Sequence, residues 1–233
     1  MQKFNNMAQV GLKGSKRCLQ AYLEDDEKRK DLEDKVCAIN TEWEVTELVW
    51  LGPKKSDSGW DWKELTGNAF WRAIGVNPKE TRTFWPARGP HWDAVAKLTL
   101  DDNTHRYVFF EAKANVDELK SWMRSKSKNS INIIEKSLNK YVTNATTCYY
   151  QTSNRIAHKR FLDEIRGTDY AVLCYLIFHD DKTHKPTTKS QWGPALKIEH
   201  DAFNLDEEQA SMLFNEIYLD ASWITNKRNG SDE

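Results

Sequence analysis

Apolar and polar positions alternate most cleanly in two neighbouring stretches of this 233-residue chain. From Trp92 to Leu100, the residues Trp92, Ala94, Ala96, Leu98 and Leu100 share one side of an extended strand, so Asp93 is expected on the other. In residues 105–114, Val108, Phe110, Ala112 and Ala114 share a side, which leaves Glu111 and Lys113 together opposite. The connector Asp101-Asp102-Asn103-Thr104 is turn chemistry, and the two stretches are predicted to pair as an antiparallel hairpin. Two carboxylates and an amine then meet on one face of a strongly apolar pair.

Other segments are read the same way. Glu44 to Leu51 alternates as a strand ended by Gly52-Pro53, and residues 54–59 read as a loop. Asp61 to Ile74 is predicted helical, because Trp62, Leu65, Ala69, Phe70 and Ala73 recur at spacings of three and four, with Gly75 as C-terminal cap. Thr81 to Pro86 is expected as a short strand, and helices are expected over Ile131 to Tyr141 and Thr147 to Arg166. The continuous apolar run Asp169 to Phe178 reads as a strand buried on both faces. Thr188 to Ile198 and Asp206 to Tyr218 read as closing helices, the last capped by Asn204 or Asp206. Residues 1–38 form a polar helical region, an appended helix or a partly ordered arm, and 39–233 a single domain. The fold class is α/β, a central mixed β-sheet flanked by helices, in the order α-β-β-β-α-β.

Charge changes this picture locally rather than globally. The net charge is −1, so no overall basic field points to nucleic acid, yet residues 111–160 hold ten Lys/Arg against four Asp/Glu. That excess suits phosphate contact; a solvated helix face is the competing explanation. Ten tryptophans are present, among them Trp60, Trp62, Trp71, Trp85, Trp92 and Trp122 near the hairpin. Such rings fill cores more often than they stack on bases. The four cysteines are scattered, which indicates neither a zinc site nor a disulfide framework. With no signal peptide and no long apolar run, a cytoplasmic protein without membrane contact is expected. The chain contains neither a G-x-S-x-G motif nor a glycine-rich phosphate loop.

Pro90, Asp93 and the Glu111-Ala112-Lys113 triplet resemble the PD-(D/E)XK nuclease superfamily, whose hallmark is Pro-Asp, a spacer, then Asp/Glu-x-Lys. The likeness extends to an uncharacterised bacterial family within it through Phe84-Trp85-Pro86, Gly89 to Ala94, Glu111 to Leu119, Tyr149-Tyr150-Gln151, Asn154-Arg155, Ala157-His158 and Phe161-Leu162. It covers about residues 45 to 200 and implies a restriction-endonuclease-like core. The implied activity is metal-dependent hydrolysis of phosphodiester bonds in DNA. Asp93 and Glu111 would bind Mg²⁺ or Mn²⁺, with the Ala112 carbonyl as a third ligand, and Lys113 would orient the attacking water. Glu64 matches an acid that many members carry on the preceding helix; an acid favourable to the helix dipole explains it equally well, and Glu47 is a weaker substitute. Glu118 is a candidate for a second metal, or a solvated acid at a helix start.

On the long helix, Gln151 and Arg155 share a face and His158 falls on the same side, with Asn154 on the adjacent stripe. Gln151 is similar to the Gln on a post-motif helix of RecB-type nucleases, although Arg155 stands where that motif has Tyr. Gln151, Arg155 and Asn154 are therefore the expected substrate-binding residues. The alternative is a catalytically weak or inactive nucleic-acid-binding or protein-interaction module on the same fold, and a homodimer is compatible with either. Replacing Asp93, Glu111 or Lys113 is expected to leave folding intact, because the two acids repel each other when no cation is bound.

Overall fold

The computed structural model describes residues 11–57 and 59–225. Five strands form one mixed sheet in the order β1-β4-β5-β6-β7: β1 (Val45–Gly52), β4 (Ala94–Leu100), β5 (His105–Lys113), β6 (Ala171–His179) and β7 (Phe214–Asp220). The first three run antiparallel, whereas β5, β6 and β7 are parallel. The expected hairpin is present, with Ala94 opposite Phe110 and Thr99 opposite His105. Helices cover both faces of the sheet, which is why β5 and β6 are buried at nearly every position.

One face packs against α1 (Gly14–Glu24) and α2 (Asp26–Cys37). Cys18, Leu19, Tyr22, Leu23, Leu32 and Val36 share a buried cluster with Ala94, Leu98, Phe110 and Leu176. The start of the polar N-terminal region lies outside the described residues, but its two helices belong to this core. Asp25 caps α2 by accepting from the Glu27 and Lys28 amides. The other face packs against α3 (Gly67–Ala73), α4 (Lys128–Tyr141), α5 (Tyr150–Arg166), α6 (Lys189–Ala202) and α7 (Glu207–Leu213). Its core is aromatic, built on Phe70, Trp71, Phe84, Trp92, Phe109 and Phe161. Among the described residues no helix is long and apolar enough to cross a membrane.

The structure corrects the sequence reading at several points. Thr81 to Pro86 is a succession of turns rather than a strand: Thr81 O accepts from the Phe84 and Trp85 amides, and both rings are buried as anchors. The third strand of the antiparallel part is instead β1, which precedes the helix. The helix expected from Asp61 starts only at Gly67, because Gly59–Asp61 forms β3 and pairs with β2 (Lys54–Ser56) in a small hairpin. The helix expected to run to Tyr218 stops at Leu213. Asp206 and Gln209 do form a capping box there, but from Phe214 the chain becomes β7, where pairing with β6 overrides helical periodicity. Trp92 lies on the aromatic face with Phe109, not with Ala94, because regular strand geometry begins only after Asp93.

Candidate functional site

The site is built where β4 begins and β5 ends. Asp93 immediately precedes Ala94, the first paired residue of β4, which is opposite Phe110, the neighbour of Glu111. Asp93 Oδ2 accepts from the Ala112 amide at 2.9 Å, so the middle residue of the Glu-Ala-Lys triplet ties the two strands together. Glu111 and Lys113, each 3 % exposed, lie two apart on the same face. Lys113 Nζ donates to Glu111 Oε1 at 2.7 Å and to Gln151 Oε1 at 3.2 Å.

The opposite wall is α5. Arg155 Nε donates to Glu111 Oε2 at 2.8 Å, its Nη2 donates to the His91 carbonyl at 2.6 Å, and its guanidinium lies 4.2 Å from the Trp92 ring centroid. One arginine thus binds the carboxylate, the backbone ahead of Asp93 and the ring beside it. That explains why Trp92 turns toward α5. A cleft of about 1240 Å³ opens over the group, lined by Asp93, Glu111, Lys113, Gln151, Asn154 and Arg155.

The two acids differ electrostatically. Burial would raise the Glu111 carboxyl, but Arg155 and Lys113 outweigh it and hold it down to about 2. Burial and then the charge of Glu111 push Asp93 up to about 7, against the Ala112 amide, Lys113 and Arg155. Burial works against the charge of Lys113, yet Glu111 more than compensates and its pKa is raised. As oxygen donors, Asp93 and Glu111 suit a hard divalent cation, and Asp93 is an acid whose ionised form lacks a full counter-charge. Glu111, by contrast, already has both oxygens engaged by cationic side chains.

The remaining expected residues are scattered. Glu64 lies before α3 rather than in its first turn; it is exposed, contacts His91 Nδ1 at 3.0 Å, and shares a small depression with Asp93, Lys16 and Gln20. Asn154 lines the cleft while 8 % exposed, and its carbonyl is hydrogen-bonded to His158 Nδ1. His158 itself is in the core, not the cleft: it is enclosed by Trp71, Phe84, Trp85 and Trp92, and burial lowers its pKa to about 3. Glu118 lines the cleft but is committed to the Ala114 amide and the Asn115 side chain. Glu47 is opposite Thr99, at the far end of β4 from Asp93, and is no substitute for Glu64.

Sequence reasoning missed a buried chain behind the site. Tyr175, paired with Glu111 across β5 and β6, has its hydroxyl 3.0 Å from Thr152 Oγ1, which donates to Glu199 Oε1 at 2.6 Å. Burial pushes Glu199 up to about 7. The one signal was an acid immediately after the stretch read as helix, 188–198; the helix in fact continues to Ala202. His179, Asp180 and Asp220, at the ends of β6 and β7, also bring potential metal-ligating atoms within 4.8 Å of one another.

Comparison with family models, curated proteins and solved structures gives no match for this chain.

Proposed function

We propose that this protein is a metal-dependent nuclease that hydrolyses phosphodiester bonds in DNA, with a PD-(D/E)XK-type site on a restriction-endonuclease-like core. The observation that carries this reading is the meeting of Asp93, Glu111 and Lys113, from two strand ends, with Gln151 from a separate helix. Asp93, Glu111 and the Ala112 carbonyl would hold Mg²⁺ or Mn²⁺, which would supply Lewis acidity to the scissile phosphate and the attacking water. Lys113, positioned by Gln151 and Glu111, orients that water and offsets charge developing on the phosphate oxygens. Arg155 keeps Glu111 ionised and fixes the His91 carbonyl, and so acts as a positioning residue before it is a phosphate clamp. Glu64 stands at the outer edge, on the Asp93 side.

Incubation of labelled single- and double-stranded DNA and RNA with Mg²⁺ or Mn²⁺ tests the proposal. Cleavage of DNA by the wild type that is lost in Asp93→Asn and Lys113→Ala supports it; no cleavage of any substrate refutes it. A second reading draws on the double ion pairing of Glu111. If Lys113 and Arg155 are its permanent partners, the cluster is structural and the protein is an inactive nucleic-acid-binding or interaction module. In that case divalent ions neither bind nor stabilise the protein.

A further inference from the structure

The segment between the short 3₁₀ helix Val116–Leu119 and α4 runs without helical structure along the mouth of the cleft. Its side chains alternate in exposure: Lys120, Trp122, Arg124 and Lys126 are exposed, while Ser121, Met123 and Ser125 are half-buried, with Met123 against the aromatic core. Alternation is what an extended chain produces, so the three cations and the indole project on one side, spaced about 7 Å apart. That repeat is on the scale of one nucleotide in a stretched strand.

Trp122 is 61 % exposed, the most exposed of the tryptophans described, and it belongs to a chain that buries Trp71, Trp85, Trp92 and Trp192 almost completely. Nothing in the fold requires it there. None of Lys120, Arg124 and Lys126 lies within ion-pairing distance of a carboxylate among the described residues. The segment is nevertheless pinned. The Ser121 amide donates to the Cys148 carbonyl at 2.8 Å, Tyr150 N donates to the Ser121 carbonyl at 3.1 Å, and Gln151 N donates to Ser121 Oγ at 2.7 Å. The residue before Trp122 is therefore fastened to the start of α5, beside the glutamine that contacts Lys113.

From this placement we infer that residues 120–126 form a binding lip for an unpaired DNA strand, with Trp122 stacking on a base and Lys120, Arg124 and Lys126 holding phosphates. An indole face is available only to a base that is not stacked in a duplex, and stacking is indifferent to base identity. The lip thus selects single-stranded DNA, or a frayed or flapped end, over blunt duplex. It deepens the nuclease reading by naming the substrate class, but strand binding itself needs no catalysis.

Fluorescence anisotropy of labelled single-stranded DNA, single-stranded RNA and blunt duplex DNA, in EDTA, separates the two questions. The wild type should bind single-stranded DNA tightest. Trp122→Ala should weaken that binding about tenfold or more, while Trp122→Phe retains most of it. Replacing Lys120, Arg124 and Lys126 together by Ala should reduce the slope of log K against log[salt] by about 2. Equal affinity of wild type and Trp122→Ala, or preference for blunt duplex, overturns the inference. Tighter binding to RNA overturns the assignment to DNA. Loss of a wild-type dimer in Trp122→Ala, with strand affinity unchanged, makes the indole a self-association contact and also overturns it. Strand binding with the expected Trp122 dependence but no cleavage in Mg²⁺ or Mn²⁺ upholds the lip while the nuclease reading fails.

Discussion

The face of the sheet covered by α1 and α2 packs through an apolar cluster, whereas the face covered by α3 to α7 holds Glu111, Lys113 and Arg155 in its interior. The same strand, β5, serves both: Phe110 and Ala112 point one way, Glu111 and Lys113 the other. On the first face burial is favourable residue by residue. On the second, three charges leave water and are tolerated only because each has a partner at hydrogen-bond distance. The difference teaches that the charged cluster is not required to close the core, since the opposite face closes without one. It also means that removing one member of the cluster does more harm than removing all.

The comparison breaks first under truncation. Phe110→Ala should destabilise by about 3–5 kcal/mol through a cavity, and no divalent ion should restore the loss. Glu111→Ala should cost about 3–5 kcal/mol as well, because it strands Lys113 and Arg155. This replaces the expectation that folding survives replacement of Asp93, Glu111 or Lys113, which considered repulsion between the acids but not the ion pair of Glu111 with Arg155. Changing Glu111, Lys113 and Arg155 together to Met should recover most of that stability, whereas the Phe110 cavity has no such remedy. Urea unfolding of the four proteins checks all of this.

A finer contrast separates the two acids. Asp93→Asn keeps an acceptor for the Ala112 amide and removes an under-compensated charge, so its cost should be near zero or a gain of about 1 kcal/mol. The pH dependence follows from the raised pKa. The folded carboxyl, at about 7, binds a proton that the unfolded one, near 3.8, has released. The native state therefore holds more protons between these values, and the Asp93 contribution falls as pH rises through that window. Glu111 has the opposite sign: held at about 2, it stabilises above 4.5 and is lost as pH falls toward 2. Glu199 declines with Asp93 and His158 contributes the other way, so the test is a difference. Wild type minus Asp93→Asn should lose stability from pH 4 to 7, as read by denaturant midpoints; a flat difference would remove the assignment.

The smallest effect is expected at Glu64. Its contact with His91 is solvent-exposed, so Glu64→Gln should change stability by less than about 1 kcal/mol. A larger loss would move Glu64 into the structural network and out of the proposed metal site.

Local pattern made the hairpin and the Asp93, Glu111 and Lys113 convergence legible, since strand period and turn chemistry are properties of adjacent residues. That Gln151 and Arg155 share a helix face was readable from spacing; that this face meets the motif rested on the resemblance, and the ion pair of Arg155 with Glu111 was not foreseen. Much else was not. The side taken by Trp92 depends on the guanidinium of Arg155, far along the chain. The change from α7 to β7 depends on an open edge of β6, which no window around Phe214 reveals. His158 shares the helix face of Gln151 and Arg155, but one turn further along that face has left the cleft and entered the aromatic core. Helical phase gives a direction, not the depth at which a residue meets its neighbours.

The central claim is that Asp93 and Glu111 share a divalent cation. Calorimetric titration of Mn²⁺ into wild type and Asp93→Asn, with melting temperature followed in parallel, tests it most directly. Saturable binding and a raised melting temperature in the wild type, both absent in Asp93→Asn, are the predicted result. No heat and no shift in the wild type would make the cluster a structural ion-pair network and contradict the account.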